Sequence, residues 1–382
     1  MTTALDITQE LVKCPSVTPK DEGAMDVVEK HLRRLGFTIQ RMTFSGDNGP
    51  DTENLFATVG SGTPHLCFAG HTDVVPVTPE SEWSHPPFGA EIHANTLYGR
   101  GVCDMKGGIA CFIEATERYL SENDPQKGTI SFLITGDEEG SGINGTEKMV
   151  KWLKEKDITL DGCIVGEATN PSKMGEMIKS GRRGSLHCTI TSKGKLGHVG
   201  YPHIATNPIP PLVSLMDKLN AWDIDQGTED FQPSNLEFTT MDVGNTAQNV
   251  IPESASAHLN IRFNILQTAD ALQQEIEKVT DLIDGDFDLD FSCNAHPFLC
   301  QDKSFTDIMS KAVQAVTSRT PELSTSGGTS DARFIKDLCP TVEFGLVNKT
   351  IHAVDESSPV EDIETLTKIY AKFLADFFSK DL

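Results

Sequence analysis

The sequence predicts an α/β protein with a mixed, largely parallel central sheet, interrupted by an inserted α+β segment of ferredoxin-like order. Two observations carry that expectation. Short apolar strand-like runs alternate with amphipathic helical ones up to about residue 180, and the alternation resumes near 295. Between those points the order becomes strand, helix, strand, strand, helix, strand. The expected division is therefore 1–180 with 295–382 as one domain and 181–294 as the other.

In order, residues 3–13 and 21–35 predict helices. In the second, Ala24, Val27, Val28, Leu32 and Leu35 recur at helical spacing and Gly36 is a stop. Residues 37–44, 54–59 and 66–69 predict strands, and 76–95, with its Pro, Ser and Trp, a functional loop. Gly107-Gly108 opens a helix over 109–122 but lacks the spacing of a phosphate-binding loop. Strands over 129–135 and 163–165 bracket a helix near 143–154. In the inserted segment, strands at 184–192, 235–243, 254–263 and 287–293 alternate with helices near 207–221 and 268–284. The last stretch carries helices near 303–318 and 360–380 and strands near 322–325 and 341–347.

A formal net charge of −24 argues against nucleic acid and anionic membrane surfaces as partners, since both demand a basic face. It leaves room for an anionic small substrate, because a few arginines dominate the field of a small pocket. The nine cysteines show no paired pattern; Cys67, Cys111, Cys163 and Cys188 lie in apolar runs and read as small buried hydrophobes. Met1 to Asp6 has neither a basic region nor an apolar signal core, and a cytoplasmic location is expected.

The chain is organised around His71-Thr72-Asp73. The apolar run Leu66–Ala69 ends at Gly70, which places His71 at a strand end, and Asp73 follows two residues on as a partner for the second imidazole nitrogen. Asp104, Glu138-Glu139, Glu167 and His352 also stand at or beyond the ends of core-type strands. In an open α/β sheet those ends line the ligand crevice. Several carboxylates in one crevice repel, and divalent cations relieve the repulsion. Two imidazoles and three carboxylates suit zinc, and a bridging carboxylate suits two ions. Taken singly, each has a plainer reading: Glu138-Glu139 an exposed helix start, Asp104 a turn residue, Glu167 a cap, His352 a surface histidine. Their coincidence carries the functional one. His31, His65, His85, His93, His187, His258 and His296 read as structural or surface residues.

The runs 68–76, 99–107 and 137–139 resemble the co-catalytic zinc aminoacylase and peptidase family, which includes acetylornithine deacetylase and carboxypeptidase G2-like enzymes. The runs 181–186, 197–203, 249–252 and 325–331 narrow the likeness to members acting on N-acyl amino acids with carboxylates at both ends. The resemblance spans essentially the whole chain. It implies a zinc-peptidase-like catalytic domain and an inserted dimerisation or lid domain, two Zn2+ per subunit with Co2+ able to substitute, and a homodimer. By the same likeness Asp104 bridges both ions and is followed by a cis peptide. His71 and Glu167 complete one ion, Glu139 and His352 the other, and Asp73 orients His71. Glu138 is then the general base, taking a proton from the attacking water and returning it to the leaving amine. His198, from the partner subunit, stabilises the tetrahedral oxyanion.

Arginine forks read carboxylates best, which makes Arg182 and Arg262 the candidates for substrate binding, with Ser185, Tyr201, Asn249, Gly328 and Thr329 as polar supports. Arg183 reads as a surface residue. Three departures from the family pattern stand at Ala168-Thr169 after Glu167, at Gly200, and at Gln248 before Asn249. None removes an implied ligand.

Overall fold

Four apolar runs, His65–His71, Gly128–Thr135, Gly162–Val165 and Thr341–Glu343, are buried along their whole length. Strands without a solvent face need neighbours on both edges and layers on both sides, and these four pair side by side in parallel. The computed structural model describes residues 2–77, 79–123 and 128–379. In it the four strands form the centre of an eight-stranded mixed sheet. The antiparallel hairpin Thr38–Gly46 and Gly49–Ser61 extends one side, and Met177–Lys179 with Glu322–Ser324 extends the other.

The chain divides into two compact units. The first comprises Met1–Ser180, Cys300–Ser324 and Ser330–Leu382, and the second Gly181–Leu299 and Thr325–Thr329. The expected boundary at 295 thus lies at 300, because Phe298–Leu299 pairs with Gly181–Arg182. Residues 325–329 join the second unit as well.

One face of the large sheet carries the helices Ala4–Val12, Gly107–Glu122, Lys303–Thr317 and Val360–Ser379. Phe68 stacks on Phe112 at 4.4 Å, and Phe132 and Tyr370 close around them edge-on or tilted. On the opposite side Phe56 meets Trp152 of the helix Thr146–Glu155 at 5.5 Å. Gly108 sits where a Cβ would come within 2.5 Å of the Gly166 carbonyl oxygen, so this glycine serves close packing of the helix start, not anion binding.

The loop expected over 76–95 is partly ordered into Glu91–His93, which pairs with Thr96–Tyr98 and through it with Ser357–Pro359 as a small sheet. Three-residue strands carry too little periodicity to be read in advance. In the second unit the four long strands run antiparallel in the order Asn235–Asp242, Ser254–Phe263, Gly184–Lys193, Asp286–Ala295. The helices Ile209–Asn220 and Ala269–Asp281 share their core. That is the ferredoxin-like order. All nine cysteines are free. Among the described residues no helix is long and apolar enough to cross a membrane.

Candidate metal centre

The carboxyl ends of the four parallel strands lie on one edge of the sheet, and each delivers one side chain. His71 closes His65–His71. Glu139 follows Gly128–Thr135, Glu167 follows Gly162–Val165, and His352 follows Thr341–Glu343. Asp104 comes from an irregular turn before the helix Gly107–Glu122, and the Asp104–Met105 peptide is cis. Asp104 Oδ1 lies 3.2 Å from His71 Nε2, and its Oδ2 lies 3.3 Å from His352 Nε2. Glu167 Oε1 is 3.6 Å from His71 Nε2, and Glu139 Oε1 is 2.9 Å from His352 Nε2. Two sets result, His71–Asp104–Glu167 and Asp104–Glu139–His352, each with donor atoms within 4.8 Å of one another and joined by the one shared carboxylate.

The electrostatics of the metal-free chain explain the donor set. Burial pulls the His71 imidazole down, but Asp104, Asp73 and Glu167 outweigh it and hold its pKa well above the usual value. Asp104 and Glu139 raise His352 to about 10. Burial would raise Asp104, yet His352 and His71 keep it below the ordinary carboxylate range. Glu167 is raised to about 8, first by burial and then by Asp104. Protons here do the work of positive charge among crowded carboxylates. Two divalent ions accepting nitrogen and oxygen donors would fit the same place and would supply that positive charge instead.

His71 Nδ1 donates to the main-chain carbonyl of Asp73 at 2.9 Å, while the nearer carboxylate oxygen of Asp73 is at 3.5 Å. The Asp73 carboxylate, expected to orient His71, thus lies within ion-pair reach of the same nitrogen. The carbonyl holds the proton on Nδ1 and leaves Nε2 as the nitrogen that faces Asp104 and Glu167. The carboxylate also accepts from the main-chain N–H groups of Glu138 at 3.2 Å and Glu139 at 3.0 Å. It fixes the turn that carries both glutamates. Glu138 is half-buried there, and burial followed by repulsion from Glu167 pushes its carboxyl well above the usual range.

Sequence reasoning missed Glu356. Its buried carboxylate accepts from Arg100 Nη1 at 2.8 Å and from the N–H groups of Gly101, Cys103 and Asp104 at 3.0, 2.9 and 3.2 Å. Arg100 also reaches the His352 carbonyl at 3.5 Å, where His352 holds the left-handed φ of 58°. One buried pair therefore ties the Asp104 turn to the His352 loop. Arg100 lies within a quoted motif, but nothing near Glu356 signalled its partners 252 to 256 residues away.

The remaining predicted residues belong to the second unit. His198 lies in the two-residue strand Gly197–His198, paired with Val250–Ile251 beside Asn249. The Gly200 N–H donates to His198 Nδ1 at 3.0 Å, which makes Nε2 the donor of a neutral ring. Tyr201 is exposed, with its ring 5.6 Å from that of His198. Arg182 is buried and donates to the carbonyls of Ser326 at 3.3 Å and Gly328 at 3.1 Å. Ser185 pairs in register with Arg262, whose pKa burial lowers. Arg183, expected at the surface, is half-buried and donates to Asn235 Oδ1 at 2.9 Å. Thr329 Oγ1 is buried.

A family model described as peptidase family M20/M25/M40 matches residues 67–376. Among solved structures, the chain is similar to an M20 family metallo-carboxypeptidase from Sulfolobus solfataricus, at 19% identity, 100% of each chain covered and a TM-score of 0.79. It is similar to the aminopeptidase PepT from Bacillus cereus ATCC 10987, at 21% identity, with 99% of this chain and 98% of that one covered and a TM-score of 0.79. A third is the YXEP protein of Bacillus subtilis, described as a dinuclear metal binding peptidase from the M20 family, at 14% identity, 99% and 98% coverage and a TM-score of 0.71. At these identities the structural likenesses establish the fold.

Proposed function

This chain belongs to peptidase family M20/M25/M40, and from that premise we propose that it is a di-zinc amidohydrolase releasing succinate from N-succinyl-LL-2,6-diaminopimelate. The observation that carries the hydrolytic reading is the Asp104 carboxylate, with one oxygen 3.2 Å from His71 Nε2 and the other 3.3 Å from His352 Nε2. His71 and Glu167 would hold one ion, Glu139 and His352 the other, with Asp104 common to both and Co2+ able to replace Zn2+. When bound, the pair of cations supplies Lewis-acid polarisation of the amide carbonyl and acidifies water.

Glu138 is the proton carrier. A carboxylate beside the ligands takes a proton from the attacking water and delivers it to the nitrogen of the departing amine. The Asp73 carboxylate keeps the Glu138 and Glu139 N–H groups in place while this happens. His198, donating through Nε2, would meet the developing oxyanion. In this reading it acts from the partner subunit of a homodimer, and the protein is cytoplasmic.

The substrate assignment rests on the runs 181–186, 197–203, 249–252 and 325–331 and on arginine chemistry. Arg182 already serves two main-chain carbonyls, which supports Arg262 as the freer fork for a substrate carboxylate and Arg182 as the group that shapes Gly328 and Thr329 beside it. Purified protein supplied with zinc is to be assayed on N-succinyl-LL-2,6-diaminopimelate and on N-acetylornithine. Succinate and free diaminopimelate are expected. Turnover of acetylornithine alone would overturn the substrate assignment in favour of another N-acyl amino acid deacylase, and turnover of neither would overturn the reading as a whole.

A further inference from the structure

A second group of metal-ligating side chains lies outside the centre described above. Glu91 and His93 stand two apart on one strand and so share a face. His85 reaches them from the preceding loop. Glu91 Oε2 accepts from His93 Nε2 at 2.9 Å and lies 3.4 Å from His85 Nδ1. One donor atom from each of the three falls within 4.8 Å of the others. The His85 ring stacks against His93 at 4.1 Å and lies tilted against Tyr98 at 4.2 Å, which holds the two imidazoles side by side.

The backbone beneath the group is pinned from three directions. Glu91 pairs with Tyr98, Tyr98 pairs with Ser357, and the Ser84 N–H donates to Asp355 Oδ1 at 2.8 Å. His93 and Glu91 are about half exposed, so water has access to complete a coordination shell. Two imidazoles and a carboxylate select borderline ions such as Zn2+, Ni2+ or Cu2+ over Mg2+ and Ca2+, which prefer all-oxygen sites. None of the three residues belongs to the His71–Asp104–Glu167 or Asp104–Glu139–His352 sets.

We propose that His85, Glu91 and His93 form a third divalent-transition-metal site, separate from the two-ion centre. An ion there joins the loop at His85 to the hairpin. Trp83, two residues earlier, packs over the Arg100 guanidinium at 5.1 Å, so the ion also steadies the loop that covers the Arg100–Glu356 pair.

The test compares the full chain with His85→Asn/His93→Asn by equilibrium dialysis against buffered Zn2+, counting metal per subunit. The wild type should hold one equivalent more than the variant, while amide hydrolysis by the variant is unchanged. Glu91→Gln keeps both imidazoles and should weaken the extra equivalent by about tenfold or more, the scale on which lesser, outer-shell losses already act. With Cu2+ as probe, the wild type should give an additional paramagnetic resonance signal with nitrogen coupling that the variant lacks. Equal metal content in the two proteins across the range would overturn the proposal, as would a Cu2+ signal that survives removal of both histidines. Should the double variant not fold, His93→Asn alone, at a half-exposed position, reads the same difference.

Discussion

Two carboxylates one and two residues beyond Asp137 differ in what surrounds them. Glu139 lies against His352, whereas Glu138 faces burial and the charge of Glu167. In the proposed mechanism that contrast separates a ligand from a proton carrier. Glu138→Gln is expected to retain its metal, measured per subunit, and to lose turnover by roughly 100- to 10,000-fold, the usual worth of a general base. Activity close to wild type would remove Glu138 from the mechanism. Asp73 acts differently again, through hydrogen bonds to the main chain of both glutamates. Asp73→Asn keeps the shape but replaces one acceptor oxygen by a donor, and metal affinity should fall by about 10–100-fold in a competition titration with a chelator.

Among the elements, four parallel strands ending on one edge do most of the positioning: His71 closes its strand, Glu167 and Glu139 stand two and four residues past theirs, and His352 sits on a longer loop nine residues past its own. Asp104 has no such strand and depends on its turn, which Glu356 organises with four hydrogen bonds. The Arg100–Glu356 pair is almost fully buried, at 4% and 0% side-chain exposure, so truncating one partner strands a charge. Glu356→Ala should cost roughly 3–5 kcal/mol in chemical denaturation. Glu356→Gln should keep the fold and weaken metal binding by about 10–100-fold with little change in KM once saturated with zinc. A Glu356→Gln protein with unaltered metal affinity would show that the Asp104 turn holds its shape unaided.

For the whole molecule, the centre links stability to pH in a predictable direction. In the metal-free chain His352 is raised from an ordinary 6.5 to about 10, so its contribution is complete below 6.5 and is lost as pH climbs toward 10. Glu167, raised from 4.5 to about 8, keeps its proton in the folded state while the unfolded chain releases it, which also lowers stability as pH rises between those values. Both slopes have the same sign. The thermal midpoint of chelator-treated protein should therefore fall from about pH 6 to pH 9, and saturating zinc should flatten that slope because ions replace the protons. A metal-free midpoint that rises over this range would contradict the assignment of these groups.

The nature of the elements and the candidate metal-ligating residues could be read along the chain, because both are local. Period-two and helical spacing are written in neighbouring residues, as in Ser254–Phe263, whose bounds the sequence predicts to the residue. Strand-end acids and imidazoles stand beside the breaks that end those strands. Tertiary structure decided what depends on distant pairing. It set the order in which the four parallel strands lie side by side, and with it which carboxylates crowd together. It set the Asp73 carboxylate against the Glu138–Glu139 turn as well as against His71, and it brought Glu356 beneath Asp104. It also brought His85 against the strand face that Glu91 and His93 share, although His85 and His93 read singly as structural or surface residues. Hydrogen-bond partners more than two hundred residues apart leave no periodic trace, so only the assembled sheet and its packed loops determine them.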